Sequence, residues 1–277
     1  MVMELERAQE PLRKLRRSLK RLPNKLSPNE VHRLRTQARR IGSIASALAL
    51  SGKKEAHRLL ESIKPVREAA GGVRDMDVLT GTALGLPEEF HDESLGRLVE
   101  CLKSARKDKL EDLLHVLGHQ RHAARHRLKQ YLKLLETLSS GKSSASSAAR
   151  ATYSELHVRS VATGLMRELG DWPALNELNM HPFRLKVKEL RTILQLFPNF
   201  DPGLLDALGA VKDRIGDWHD WQQLAEAAGQ VLKPRQDRAL LTQIKLMAKR
   251  KHSHALASSN ALRKRYFKPD TISSPAF

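Results

Sequence analysis

Apolar residues recur along this chain at steps of three and four, the spacing that puts them on one face of an α-helix. Leu5, Ala8, Leu12, Leu15, Leu19 and Leu22 form the first stripe. Pro23 and Asn24 end it. Ser27, Pro28 and Glu30 then have the form of an N-cap, a first-turn proline and a capping box, which opens a second helix. Val31, Leu34, Ala38, Ile41, Ala45 and Leu48 continue with the same period until Ser51-Gly52. A third helix is expected from about Lys53 to Ala70, broken or kinked by Gly71-Gly72, and a long helical pattern follows from Glu88 to Leu138, interrupted near Gly118. In the second half, helices are expected from about Ala149 to Leu169, from near Pro182 to before Pro198, and after Pro202, with two more between Pro234 and Phe267. No segment alternates with period two, so the chain reads as all-α, without a sheet.

The stretch Ser139–Ala149, reading SSGKSSASSAA, has the composition of a flexible linker. The expected organisation is therefore a first helical bundle over 1–138, a Ser-rich linker over 139–149 and a second bundle over 150–277. The halves echo each other. His32-x-x-Arg35-x-x-x-Arg39 returns as His181-x-x-Arg184-x-x-x-Lys188, and Arg74-Asp75 followed by Leu79 lines up with His219-Asp220 followed by Leu224. Two motifs in the same order argue for duplication.

On a wheel of about 100° per residue, His32, Arg35 and Arg39 share a face with Thr36 and Ser43, opposite Leu34, Ala38, Ile41, Ala45 and Leu48. His181, Arg184, Lys188 and Arg191 do the same opposite Phe183, Val187, Leu190 and Leu194. Arg13, Arg16, Arg17 and Lys20 line a face of the first helix. Like charges at these spacings destabilise an isolated helix by a few tenths of a kcal/mol per pair, a cost that a bridging anion removes. A solvated charged face is the alternative for any one arginine.

Charge extends this picture to the whole chain. There are 49 Lys+Arg against 31 Asp+Glu, a formal net charge of +18 over 277 residues. Residues 1–140 carry 28 basic and 18 acidic side chains and the remainder 21 and 13, so both halves are basic. Self-repulsion of that size favours an anionic partner. Arginine forks onto phosphate oxygens, lysine brings a mobile point charge, and histidine donates from either ring nitrogen. Aromatic residues make up 4% of the chain and do not interleave with the basic runs, as a single-stranded nucleic-acid surface usually requires. A base-free polyanion is the preferred ligand, with nucleic acid, structured RNA above all, as the competing reading. The single cysteine, Cys101, fits a reducing compartment. No signal peptide, transit peptide or membrane span is expected, and the expected location is cytoplasmic.

These residues resemble the CHAD family, the conserved-histidine α-helical domains. The resemblance rests on Val31-His32-x-x-Arg35-x-x-x-Arg39-Arg40, on Gly72-Val73-Arg74-Asp75-Met76-Asp77-Val78-Leu79 and on the second-half copies, over about Leu5 to Phe267. The second copy departs from the pattern, with Glu189 where the first has Arg40 and Thr192 where an aromatic residue is frequent. The resemblance implies two four-helix bundles related by pseudo-twofold symmetry, with a basic groove or tunnel between them. It also implies inorganic polyphosphate binding and association with polyphosphate granules. By carry-over, His32, Arg35, Arg39, His181, Arg184 and Lys188 are the leading contacts, joined by Arg40, Arg74, Arg121 and Arg125; for Arg74, an ion pair with the adjacent Asp75 is the structural alternative. The Glu4-Leu5-Glu6-Arg7-Ala8 stretch lacks the lysine of the triphosphatase motif that often accompanies this family.

Other chemistry is not expected. His115, His119, His122 and His126 would share a face on a continuous helix, yet a histidine-rich basic region explains them without metal. His219-Asp220 resembles a phosphohydrolase dyad and Asp75/Asp77 could hold magnesium, but these are read as buried helix-terminus contacts. No Walker-type loop or nucleophilic triad is present. The expectation is a binding module, not an enzyme, with no cofactor; its oligomeric state is open.

Overall fold

The computed structural model describes residues 3–23, 25–48, 53–139 and 144–267. Its α-helices are α1 (Leu5–Lys20), α2 (Pro28–Leu48), α3 (Lys53–Leu84), α4 (Glu93–Ser139), α5 (Ser144–Gly170), α6 (Met180–Leu194), α7 (Pro202–Val231) and α8 (Arg238–Tyr266). A 3-10 turn at Glu88–Phe90 joins α3 to α4, and there is no strand among the described residues. The all-α reading is therefore correct.

Local chemistry accounts for the helix starts. Ser27 and Glu30 close the expected capping box: the Ser27 backbone N–H donates to Glu30 Oε2 at 2.8 Å, and the Glu30 N–H donates to Ser27 Oγ at 3.3 Å. Asp201 caps α7 by accepting from Gly203 N at 2.8 Å, with Pro202 in the first turn.

Several expected interruptions are absent. α3 passes through Gly71-Gly72 and Pro65 to Leu84, and α4 passes through Gly118. One helix, α8, replaces the two expected near the C-terminus. Ser144–Ala149, expected as linker, opens α5, and the expected Ser140–Ser143 portion lies outside the described residues. Helix continuity at these glycines follows from packing. A glycine costs a helix about 1 kcal/mol relative to alanine, which burial of the flanking apolar stripe easily offsets. A Cβ at Gly72 would come within 3.2 Å of Lys109, so there the missing side chain makes room for a neighbour and does not end the helix.

Two apolar cores run through the molecule, and each draws on both halves of the chain. The larger takes Leu12 and Leu15 of α1, Leu34 and Ile41 of α2, Leu128 and Tyr131 of α4, and Phe183 and Leu190 of α6. The smaller joins the far ends of the α3/α4 and α7/α8 hairpins, through Leu79, Leu98, Trp221, Leu224 and Ile244. α3 and α7 pass from one core to the other. On α3 the passage falls between Val73 and Leu79, and on α7 between Trp218 and Trp221. The polar residues of those two stretches open between the cores.

Candidate functional site

A cavity of about 710 Å³ lies at this passage, lined by α2, α3, α6 and α7. It gathers nine of the residues expected from sequence: His32, Arg35, Arg39, Arg40, Arg74, His181, Arg184, Lys188 and Arg191. Lys212 makes an eighth cation, against the carboxylates of Asp75, Asp213, Asp220 and Glu189. The two histidines that open the repeated motifs, His32 and His181, thus face one common space.

The lining divides by how each cation is held. Arg35 is tied to Asp75 across α2 and α3, at 3.0 Å. Asp75 makes its ion pair with Arg35, while the charge of its neighbour Arg74 also acts on it. Arg40 donates to Gln195 Oε1 at 3.1 Å, and Lys212 pairs with Asp213. Arg184 and Arg191 lie across α7 and donate through Nε to the carbonyls of Lys212 and Leu205, at 2.9 and 3.1 Å. Glycine gives room for the Arg184 crossing, less so for that of Arg191. A Cβ at Gly216 would come within 2.6 Å of Arg184, and one at Gly209 within 3.4 Å of Arg191. Arg39, Arg74 and Lys188 have no hydrogen bond from the side chain and no ion pair among the described residues.

Burial and mutual repulsion shift several of the groups in this lining. Burial, then the charges of Arg184 and Arg39, push Lys188 down to about 7. Burial, then Arg35 and Arg184, hold Arg39 at about 10, still cationic at neutrality. His181 is lowered to about 4 by burial and by His219, whose ring lies tilted against it with centroids 4.3 Å apart. His32 and His219 are lowered, chiefly by burial. Asp220 is raised to about 6 by burial, against the pull of Arg184. Taking charge out of water disfavours the charged form of Lys188, Arg39, His181 and Asp220 alike. The His181 Nδ1 is buried with no hydrogen-bond partner.

The sequence model of the CHAD domain matches residues 6–229. The chain belongs to the CHAD domain family. No curated protein and no solved structure matches it. The matched span ends inside α7, short of the Phe267 limit of the sequence resemblance, and α8 lies beyond it.

Six expected residues of this CHAD chain lie outside the cavity. Arg13, Arg16, Arg17, Lys20 and Arg125 line a separate groove between α1 and α4. Arg121 is exposed on α4, its Nε 3.3 Å from His122 Nε2. Lys212, His219, Asp220 and Gln223 belong to the cavity without having been assigned to it from sequence. His219-Asp220 and Asp75 sit in mid-helix and face the cavity, so the helix-terminus reading of them is corrected. Asp77, grouped with them, instead holds Arg106 at 2.5 Å. The missed signal was the polar and small stripe Gly209, Lys212, Gly216, His219 and Gln223, at three- and four-residue steps opposite the buried apolar face of α7.

His115 and His119 do approach, with ring centroids 4.4 Å apart on a continuous helix. No group of three or more His, Cys, Asp or Glu side chains among the described residues is arranged to hold a metal ion. Among the described residues, no helix is long and apolar enough to cross a membrane.

Proposed function

We propose that this CHAD domain binds inorganic polyphosphate in the cavity between its two cores, without catalysis, and that the same contact attaches it to polyphosphate granules. The carrying observation is that Arg39, Arg74 and Lys188 line the cavity without an ion pair among the described residues. Cations this enclosed normally have protein counter-charges. A string of phosphates supplies them, at a spacing that reaches α2, α3 and α6 together. Arg35, Arg40, Arg184 and Arg191 are already oriented by their own contacts, which lowers the ordering cost of binding.

Binding of long-chain polyphosphate, followed as a function of salt, tests this reading. The logarithm of the binding constant should fall linearly with the logarithm of salt concentration, as counterion release requires. The variants Arg39→Ser and Lys188→Met should each weaken binding by about tenfold, the worth of one charge-assisted hydrogen bond. Orthophosphate binding as tightly as the polymer would end the polymer reading. RNA displacing polyphosphate at equal phosphate concentration would make nucleic acid the ligand. Phosphate release with magnesium or manganese, abolished in Asp220→Asn, would make the site catalytic.

A further inference from the structure

The groove between α1 and α4 has no part in the cavity. Its volume is about 600 Å³, and its lining shares no residue with the cavity lining. α1 contributes Arg13, Arg16, Arg17 and Lys20, and α4 contributes Arg125, Lys129 and Lys133. Glu136 is the one carboxylate in that lining, 3.5 Å from Arg13, and both side chains are about half exposed. A pair so solvated neutralises little. The other six cations have no ion pair among the described residues.

Arg125, between the exposed cations and the core, is only partly exposed. The Nε of Arg125 is buried yet has no hydrogen-bond partner. Arg125 is part of the groove lining, where its guanidinium adds to the charge of Lys129 and Lys133.

The geometry also selects the shape of the anion. Arg125, Lys129 and Lys133 recur every fourth residue, so the row advances about 6 Å per cation along α4. Arg13, Arg16, Arg17 and Lys20 form a second row on α1. A compact phosphate can reach only a few of these groups, whereas a linear polymer of phosphates reaches them in succession.

The apolar stripes of both helices, Leu12, Leu15 and Leu19 on α1 and Leu128, Tyr131 and Leu135 on α4, face the larger core. The cationic stripes therefore point away from that core. α2 turns its apolar side to the same core and its basic side to the cavity. The two cationic surfaces thus have separate linings around one core.

We propose that the α1/α4 groove is a second, independent site for linear polyphosphate, so that one molecule holds two polymer segments at once and cross-links long chains. This rests on the polyphosphate reading of the cavity, from which it can be separated by experiment. Titration calorimetry with short-chain polyphosphate at low salt should give two sites per full-length chain. The groove variant Arg16→Ser/Arg17→Ser/Lys129→Ser removes exposed side chains and should leave one site. The cavity variant Arg39→Ser/Lys188→Met should leave the other. Arg235→Ser, an exposed charge outside both linings, should leave two. With long chains, light scattering should report large assemblies for the unaltered protein. The groove variant should bind the same chains but form no such assemblies.

One site, lost in the cavity variant and unaffected in the groove variant, would overturn the second site while leaving the cavity reading intact. One site lost only in the groove variant would overturn both the cavity reading and the claim of two sites. No saturable binding would overturn the polyphosphate reading itself. Equal weakening by all three variants, Arg235→Ser included, would reduce the groove to unspecific charge and overturn the proposal.

Discussion

Arg184 reaches the cavity because position 216 has no side chain. Gly216→Ala puts a methyl group 2.6 Å from the Arg184 guanidinium, which must then leave its contact with the Lys212 carbonyl. Alanine is the better helix former by up to about 1 kcal/mol, so the helix itself does not suffer. The expected result is polyphosphate affinity down about tenfold with thermal stability held or raised, as measured by calorimetry and by melting. Loss of both together would mean that the fold, not the arginine, had been disturbed.

Lys188 gives the site a pH signature. It titrates at about 7 when folded, against an ordinary value of 10.5. Between those values the unfolded chain holds the proton and the folded chain does not. The unliganded fold therefore gains stability as pH rises from about 7 to 10.5, and its full burden is present below 7. A bound polyanion raises the Lys188 pKa back, so binding near neutrality should take up a proton. Calorimetry in buffers of different ionisation enthalpy reads this directly, and Lys188→Met should remove it. Asp220, raised to about 6, loses its negative charge on acidification. Both changes make the cavity more positive, so affinity should increase as pH falls from 8 towards 6.

At the scale of elements, the two long hairpins hold the small core together, and one carboxylate ties them. Asp237, in the turn before α8, accepts from Ser94 Oγ at 2.6 Å, from Lys233 N at 2.7 Å and from Arg97 at 2.7 Å. It joins the start of α4 to the start of α8 and is 4% exposed. The Ser94 hydroxyl and the Lys233 amide, before Arg97, hold its carboxyl below the usual range. Its contribution is present above the ordinary carboxylate pKa of 3.8 and is lost as pH falls through the lowered value. Asp237→Ala should lower the melting temperature at neutral pH by roughly 2–4 °C or more, and the difference from the unaltered protein should shrink in acid.

The same scale shows what pattern reading could and could not reach. The core faces of α1, α2 and α6 were legible because Leu12, Leu34, Phe183 and their neighbours repeat at helical spacing. The lengths of α3 and α4 were not. Gly71, Gly72 and Gly118 are local stop signals, and whether they stop a helix depends on what packs beside them. α7 was legible as a helix but not as a wall of the cavity, because Lys212, His219 and Gln223 resemble an ordinary solvated face until α2 and α3 lie opposite.

For the whole molecule, the cavity cations repel each other, and the proposed polyanion would relieve this. Long-chain polyphosphate should raise the melting temperature with concentration, in proportion to the logarithm of ligand over its dissociation constant. The Arg39→Ser/Lys188→Met variant should start from a higher melting temperature and gain less from the ligand. A lower starting value would mean that these cations support the fold.

The sequence alone determined that this chain is helical, that it is basic in both halves and that His32, Arg35 and Arg39 share a face matched by His181, Arg184 and Lys188. Those are properties of spacing along a helix, and spacing is written in the order of residues. Tertiary structure decided which basic faces meet. The α2 and α6 faces close on one cavity with Arg74 and Lys212, while the equally basic face of α1 joins α4 in a separate groove. Nothing in a helical wheel separates those two outcomes. The choice comes from how the apolar stripes pack around the two shared cores.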